Sequence, residues 1–448
     1  MTAQPLARRV KAVIAKNQRV HWGVHAVQLK SGRILASVNA DKFFVPASNT
    51  KLFSTAFALT ALGEEHRFKT RVLASSALEP NGVISGDLVL YGGGDPSLSA
   101  RRYPYDREKP FEEDLLLPLR EMARQLKDKG VRHITGRILG DDTQQEFDLI
   151  PKGWSADDGL FEYGAPVSAL SFNDNIFELK VSQKGITLNP GVEYFAFLNQ
   201  VTAMPDKPRR VRIDRQPGSR TVVLSGNLPP DAKEYSNELA VEDPALYAAV
   251  AFRQVLREEG IRVDGPAEAR HVAAASLESF ELARRESPAL PDLLKVVDKV
   301  SQNLHAELML RAARQKMAFN DFLKLTGIDE KEINFEDGSG MSRLNLVTPK
   351  AVVQLLRLIE KQGQLELFRS FLPVGAEDGT LRNRFDKSPR AKAIRGKTGS
   401  LSHVSALGGY AESRRYGTIA FQIVANNYNV PAQEVRTAID RIALALLQ

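Results

Sequence analysis

The feature that most constrains this chain is a change of pattern along its length: both ends carry helical and strand periodicities of an α/β layer, while the middle does not. Near the start, Val20 to Leu29 alternates apolar and polar residues, Lys30-Ser31-Gly32-Arg33 supplies turn chemistry and Ile34 to Val38 alternates again, which predicts a β-hairpin. After Pro46, the residues Leu52, Phe53, Ala56, Leu59 and Leu62 recur at helical spacing, with Gly63 as the stop. Helical periodicity returns from Leu290 to Leu325 and from Pro349 to Leu367. Strand patterns follow at Ala393–Arg395, Ala406–Ala411 and Thr418–Asn426, then an amphipathic helix over Ala432–Leu447. Between these ends, from about Phe68 to Val272, short β-like runs are broken by frequent Gly and Pro. The expected architecture is one α/β (α+β) domain, discontinuous in sequence (1–67 with 276–448), interrupted by a large β-rich insertion (68–275). The insertion is divided into two subdomains, 68–90 with 167–275, and 91–166. A chain of 448 residues exceeds what one core usually organises.

Composition excludes several chemistries. With no cysteine, disulfides, thiolate catalysis and Cys-ligated zinc are out of reach, and the seven histidines show no paired ligand spacing, so neither metal nor cofactor is expected. The net charge of +7 is spread along the chain without a basic run, which implies no nucleic acid. It is compatible with weak membrane-surface or homo-oligomer contacts. The stripe of the last helix is expected to pack on a sheet rather than lie on lipid. Met1 to Arg19 carries charges every few residues and no apolar h-region, so no leader is expected within it.

Three short motifs carry chemistry. Ser48-Asn49-Thr50-Lys51 has S-x-x-K spacing, so that one helical turn brings the Lys51 amine to the Ser48 oxygen, where a neutral amine serves as base. Roughly two such matches are expected by chance in a chain this long. Ser301-Gln302-Asn303 gives S-x-N where two helical stretches meet, a break that can point a hydroxyl and an amide into a cleft. Ser171-Phe172-Asn173 and Ser225-Gly226-Asn227 have the same spacing but lack that setting. Lys397-Thr398-Gly399 is rarer, at roughly a tenth of a match by chance. It offers a cation and a hydroxyl for a carboxylate, and a glycine that lets a substrate backbone approach. Together and in this order they form the active-site set of penicillin-binding proteins and class A β-lactamases.

The sequence resembles the low-molecular-mass class C penicillin-binding proteins, the D-alanyl-D-alanine carboxypeptidase/endopeptidases. The resemblance runs through Phe44–Leu52, Ser301–Glu307, Asp337-Gly338-Ser339-Gly340-Met341-Ser342-Arg343, Asp378–Arg384 and Gly396–Leu401, and, in the insertion, through Tyr91–Pro96 and Tyr163–Leu170. The stretch between the motif serines is itself domain-sized, which β-lactamases lack. The resemblance implies a penicillin-binding-protein/β-lactamase-like transpeptidase fold and a Ser48 acyl-enzyme. Lys51, Ser301 and Asn303 would be its catalytic partners, and Lys397, Thr398, Gly399, Ser400, Leu401 and Arg343 its substrate contacts. It further implies an oxyanion hole from the backbone of Ser48 and Ser400, and Asp141 or Asp142 as a ligand for a peptide amine. The implied partners are peptidoglycan stem peptides and, as covalent inhibitors, β-lactam antibiotics. The implied location is periplasmic or extracytoplasmic, with a leader removed. A β-lactamase and a non-catalytic cell-wall binding protein remain as alternatives at this point.

Overall fold

The computed structural model describes residues 4–16, 19–273 and 280–447. The chain forms two compact units. One comprises Met1–His66, Pro151–Trp154 and Ala289–Gln448, the other Arg67–Ile150 and Ser155–Pro288.

The first unit is organised by a five-stranded antiparallel sheet in the order Ile394–Leu401, Val404–Ser413, Gly417–Asn426, His21–Gln28, Ile34–Val38. The two chain ends meet in it, with His21 opposite Asn426 and Gln28 opposite Ile419. Because successive side chains of a strand point to opposite faces, the strand Gly417–Asn426 does two jobs. Ile419, Phe421, Ile423 and Ala425 join a core with Val435, Ile439, Ile442 and Leu446 of the helix Ala432–Leu446 and with Leu6 and Val10. The last helix therefore packs on the sheet, as its pattern suggests. Gln422 and Asn426, on the other face, fasten the segment that carries Ser48. Asn426 takes the Val45 N–H at 2.8 Å and returns a bond to the Val45 carbonyl at 3.1 Å, and the Gln422 amide donates to Asn49 Oδ1 at 2.9 Å.

On that face lies the helix Lys51–Leu62, buried from Lys51 to Leu59. It is apolar nearly all round, the composition of a central helix, and Gly63 ends it at φ +81. The helices Leu290–Lys299 and Asn303–Arg314 pack near it, separated by the break at Val300–Gln302.

The second unit contains a five-stranded mixed sheet in the order Ala267–Arg270, Ile138–Asp141, Leu88–Tyr91, Lys69–Ala74, Phe280–Glu286. It also contains small sheets built from Ile176–Ser182, Gly185–Asn189 and Tyr235–Ala240, and from Ala196–Thr202, Arg210–Asp214 and Thr221–Asn227. The region is β-rich, and the helices Leu117–Asp128 and Pro244–Glu258 also pack Leu119, Met122, Phe252 and Val255 into its core. Its expected bounds differ from the observed ones in two places. The expected division into 68–90 with 167–275 and 91–166 cuts through the five-stranded sheet, because Ile138–Asp141 pairs with both Leu88–Tyr91 and Ala267–Arg270. The boundary placed at 275/276 falls within residues 274–279, outside the described residues. The strand Phe280–Glu286 beyond it pairs with Lys69–Ala74 and so belongs to the second unit.

Candidate active site

Ser48 sits in a single 3-10 turn, Ala47–Thr50, that leads into the helix Lys51–Leu62. The residue before it, Ala47, has φ +49, a conformation a residue with a Cβ adopts only when its surroundings impose it. The imposing contacts come from a neighbouring strand: an added Cβ on Gly399 would stand 2.5 Å from the Pro46 carbonyl oxygen and 3.2 Å from Ala47 Cβ, so the strand Ile394–Leu401 runs tight against this turn. Asn49 locks the two together by donating to the Lys397 carbonyl at 2.6 Å.

Lys51 is fully buried, and its Nζ has three neighbours: Asn303 Oδ1 at 2.7 Å, the Ser339 carbonyl oxygen at 2.6 Å and Ser48 Oγ at 3.0 Å. Burial and the nearby Lys397 cation hold its pKa well below the ordinary lysine range. A neutral amine has two N–H bonds and one lone pair. The carbonyl oxygens of Asn303 and Ser339 can only accept, so they take the two N–H bonds and the lone pair is left facing the Ser48 hydroxyl. That is the arrangement a general base needs.

Ser301, at the break between the two helices, has φ +63. Its hydroxyl accepts from Lys397 Nζ at 2.8 Å, and the same nitrogen donates to the Thr398 carbonyl at 2.9 Å. Burial lowers the Lys397 pKa to about 8, against the opposing pull of the Asp298 carboxylate. Thr398 donates its hydroxyl proton to Thr380 Oγ1 at 2.8 Å. Arg343 is exposed and donates to the Ser402 carbonyl at 2.9 Å, beside the half-exposed Leu401 and the exposed Ser400. The structure thus brings Ser48, Lys51, Ser301, Asn303, Lys397, Thr398 and Gly399 together, and places Arg343 against the strand end that carries Ser400 and Leu401.

Other residues lie elsewhere. Ser171-Phe172-Asn173 and Ser225-Gly226-Asn227 belong to the second unit, where Ser171 donates to the Ser168 carbonyl and Asn173 to that of Ile176. Asp141 and Asp142 are buried there and already engaged. Asp141 takes Arg270 Nε at 2.6 Å and the Thr143 amide at 2.9 Å, and Asp142 takes the Ser168 hydroxyl at 2.9 Å with His271 Nδ1 3.0 Å away. Their carboxylates hold the unit's own strands and loops.

One residue without an assigned role in the sequence organises the site from below. Asp337 is fully buried and accepts bonds from the Trp154 indole N–H at 2.8 Å, the Ser339 hydroxyl at 2.6 Å and the backbone N–H groups of Gly340, Met341 and Ser342 at 3.0 to 3.2 Å. Glu307 caps the same loop through Gly338 N and Ser339 N at 2.7 and 2.8 Å, and burial together with Asp337 pushes its carboxyl up to about 8. This loop presents the Ser339 carbonyl to Lys51. Asp337→Ala leaves several buried N–H groups without an acceptor, each costing about 1–3 kcal/mol. The expected result is a loss of several kcal/mol, read as a lowered urea midpoint. An unchanged midpoint would contradict it.

Known proteins share this arrangement of fold and sequence. A D-alanyl-D-alanine carboxypeptidase of Actinomadura sp. (strain R39) is 32% identical over 439 residues, covering 92% of this chain and 78% of its own length. The crystal structure of penicillin binding protein 4 from Haemophilus influenzae has a TM-score of 0.84 at 26% identity and covers 98% of both chains. A second structure of that protein, complexed with a β-lactam, has the same fold, with a TM-score of 0.78 at 24% identity. With residues 6–446 matched, the chain belongs to the D-Ala-D-Ala carboxypeptidase 3 (S13) family.

Proposed function

We propose that this chain hydrolyses peptidoglycan stem peptides ending in D-alanyl-D-alanine, as carboxypeptidase and endopeptidase, through an acyl-enzyme on Ser48. The observation that carries the reading is the Lys51 amine, which has two obligate acceptors for its N–H bonds and the Ser48 hydroxyl at 3.0 Å for its lone pair.

Lys51 Nζ takes the Ser48 proton as Oγ bonds to the carbonyl carbon of the penultimate D-alanine. The oxyanion that forms accepts from the backbone N–H groups of Ser48 and Ser400. The C–N bond then breaks, and the proton passes through the Ser301 hydroxyl to the leaving amine. Lys397 and Thr398 hold the terminal carboxylate of the substrate, Asn303 orients its amide, and Arg343 and Leu401 contact its side chain. Water completes the cycle by releasing the acyl group. A β-lactam enters the same path, opens on Ser48 and leaves slowly, because the amine that departs from a peptide stays tethered to the acyl group. The substrate lies outside the cytoplasmic membrane, so the place of action is extracytoplasmic. No helix among the described residues is long and apolar enough to cross a membrane.

This assignment of roles predicts a pH profile. Lys397 must stay protonated to bind a carboxylate, and its pKa is lowered to about 8. The second-order acylation rate should therefore fall as pH rises through about 8. Lys51, already held low, should keep the rate up at neutrality. A rate that is flat to strongly alkaline pH would sink the role given to Lys397.

A further inference from the structure

The mechanism above makes no use of Asp298, yet this carboxylate is fully buried on the last turn of the helix Leu290–Lys299. Its Oδ2 accepts the Thr55 hydroxyl at 3.0 Å, and its Oδ1 is buried with no hydrogen-bond partner. An orphaned carboxylate oxygen in a protein interior is costly and is kept only where a field of opposite charge compensates it. Two observations supply that field. Thr55 stands one turn after Lys51 on the same helix, and Asp298 stands three residues before Ser301, the hydroxyl on which Lys397 Nζ rests. Neither lysine touches a carboxylate: Lys51 bonds Ser48, Asn303 and the Ser339 carbonyl, and Lys397 bonds Ser301 and the Thr398 carbonyl.

We infer that Asp298 is a positioning residue, the buried counter-charge that keeps Lys397 cationic and sets how readily Lys397 and Lys51 each give up a proton. The inference rests on the roles proposed above for the two lysines. The charged groups around Asp298 agree with it. Lys397, Lys51 and Lys299 all favour its ionised form, against burial that brings its pKa up to about 7. Lys299 has its own partner in Asp378, so it is not free to serve Asp298 alone. Asp337 and Glu307, like Asp298, favour the charged form of Lys51. The neighbouring helix Leu365–Phe371 contributes Glu366 and Arg369, which pair with each other, and Arg369 also pairs with Glu412.

The sign of the effect follows. Removing a negative charge makes both lysines give up protons more readily, so the whole rate profile moves to lower pH. In Asp298→Asn, which keeps the acceptor for Thr55, the alkaline limb of the acylation rate with penicillin should move down by about one unit, a tenfold loss at a fixed pH on that limb. The rate on the acid limb should hold or rise. A uniform loss at every pH, or a profile that superimposes on wild type, would overturn the inference. Should Asp298→Asn fail to fold, Thr55→Val decides, because the carboxylate loses the bond that favours its charge. The limb should move in the same direction by less, and an unmoved limb would again overturn the inference. Wild type is run alongside: if it forms no adduct on Ser48, the proposed function itself falls, which is a different result from a normal wild type with an unshifted variant.

Discussion

Ser48→Ala should form no covalent adduct with penicillin and should lose peptide hydrolysis by a factor on the order of 10⁶, the scale set by removing the nucleophile of a serine hydrolase. The fold should survive. Ser48 is only half-buried, Lys51 Nζ is its hydroxyl's partner, and Lys51 keeps its two carbonyl acceptors when the hydroxyl is gone. The melting temperature should therefore stay within about 2 °C of wild type, as for a substitution that opens no cavity and strands no polar group. Intact mass after exposure to penicillin reads the first part and a thermal melt the second. An adduct that persists on the alanine variant would place the nucleophile elsewhere.

The second large effect is expected at Lys51. Lys51→Met keeps the length of the side chain and removes the base, so the acylation rate should fall by about 10²–10⁴, the usual worth of a positioned general base. The variant also strands the Asn303 side-chain carbonyl and the Ser339 carbonyl, both acceptors with a buried donor removed. A stability loss should accompany the rate loss. What separates the two is Ser48 reactivity measured on protein that is still folded: a folded variant acylated within tenfold of wild type would show that another group takes the proton.

These effects depend on residues whose visibility in the sequence differs for physical reasons. The Ser48–Lys51 pair is legible because three residues of helical spacing bring the side chains together whatever the rest of the chain does. Ser301 is legible as a break because apolar periodicity stops and restarts around it. Its φ of +63 is not, since a serine carries no sign of a left-handed backbone. Apolar alternation marks the strand holding Lys397 only at Ala393–Arg395, while Lys397-Thr398-Gly399 and its flanks fit an edge strand, and the strand runs from Ile394 to Leu401. Gly396, Thr398, Gly399 and Ser400 show no apolar alternation, and it is the ladder to Ser405–Gly409 that makes them a strand. The helices Leu117–Asp128 and Pro244–Glu258 do carry helical spacing at Leu119, Met122, Ala123 and Leu126 and at Ala248, Phe252 and Val255, but they lie in a stretch whose glycines and prolines suggest short strands. Asp337 and Asp298 are the hardest. Their partners are Trp154, Ser339 and Asn345 in one case and Thr55 in the other, and a carboxylate's role is fixed by which distant groups the fold places around it. The same limit explains Asp141 and Asp142, whose carboxylates turn out to be engaged by Arg270 and by Ser168 with His271.

The claim on which the rest depends is that Ser48 forms an acyl-enzyme that a β-lactam traps. The most direct test is to incubate the wild-type protein with a penicillin and follow both the intact protein mass and the remaining antibiotic over time. The predicted result is a one-to-one adduct that persists while free penicillin is hardly consumed. Penicillin consumed without an adduct would make the protein a β-lactamase, and penicillin left intact without an adduct would contradict the acyl-enzyme altogether.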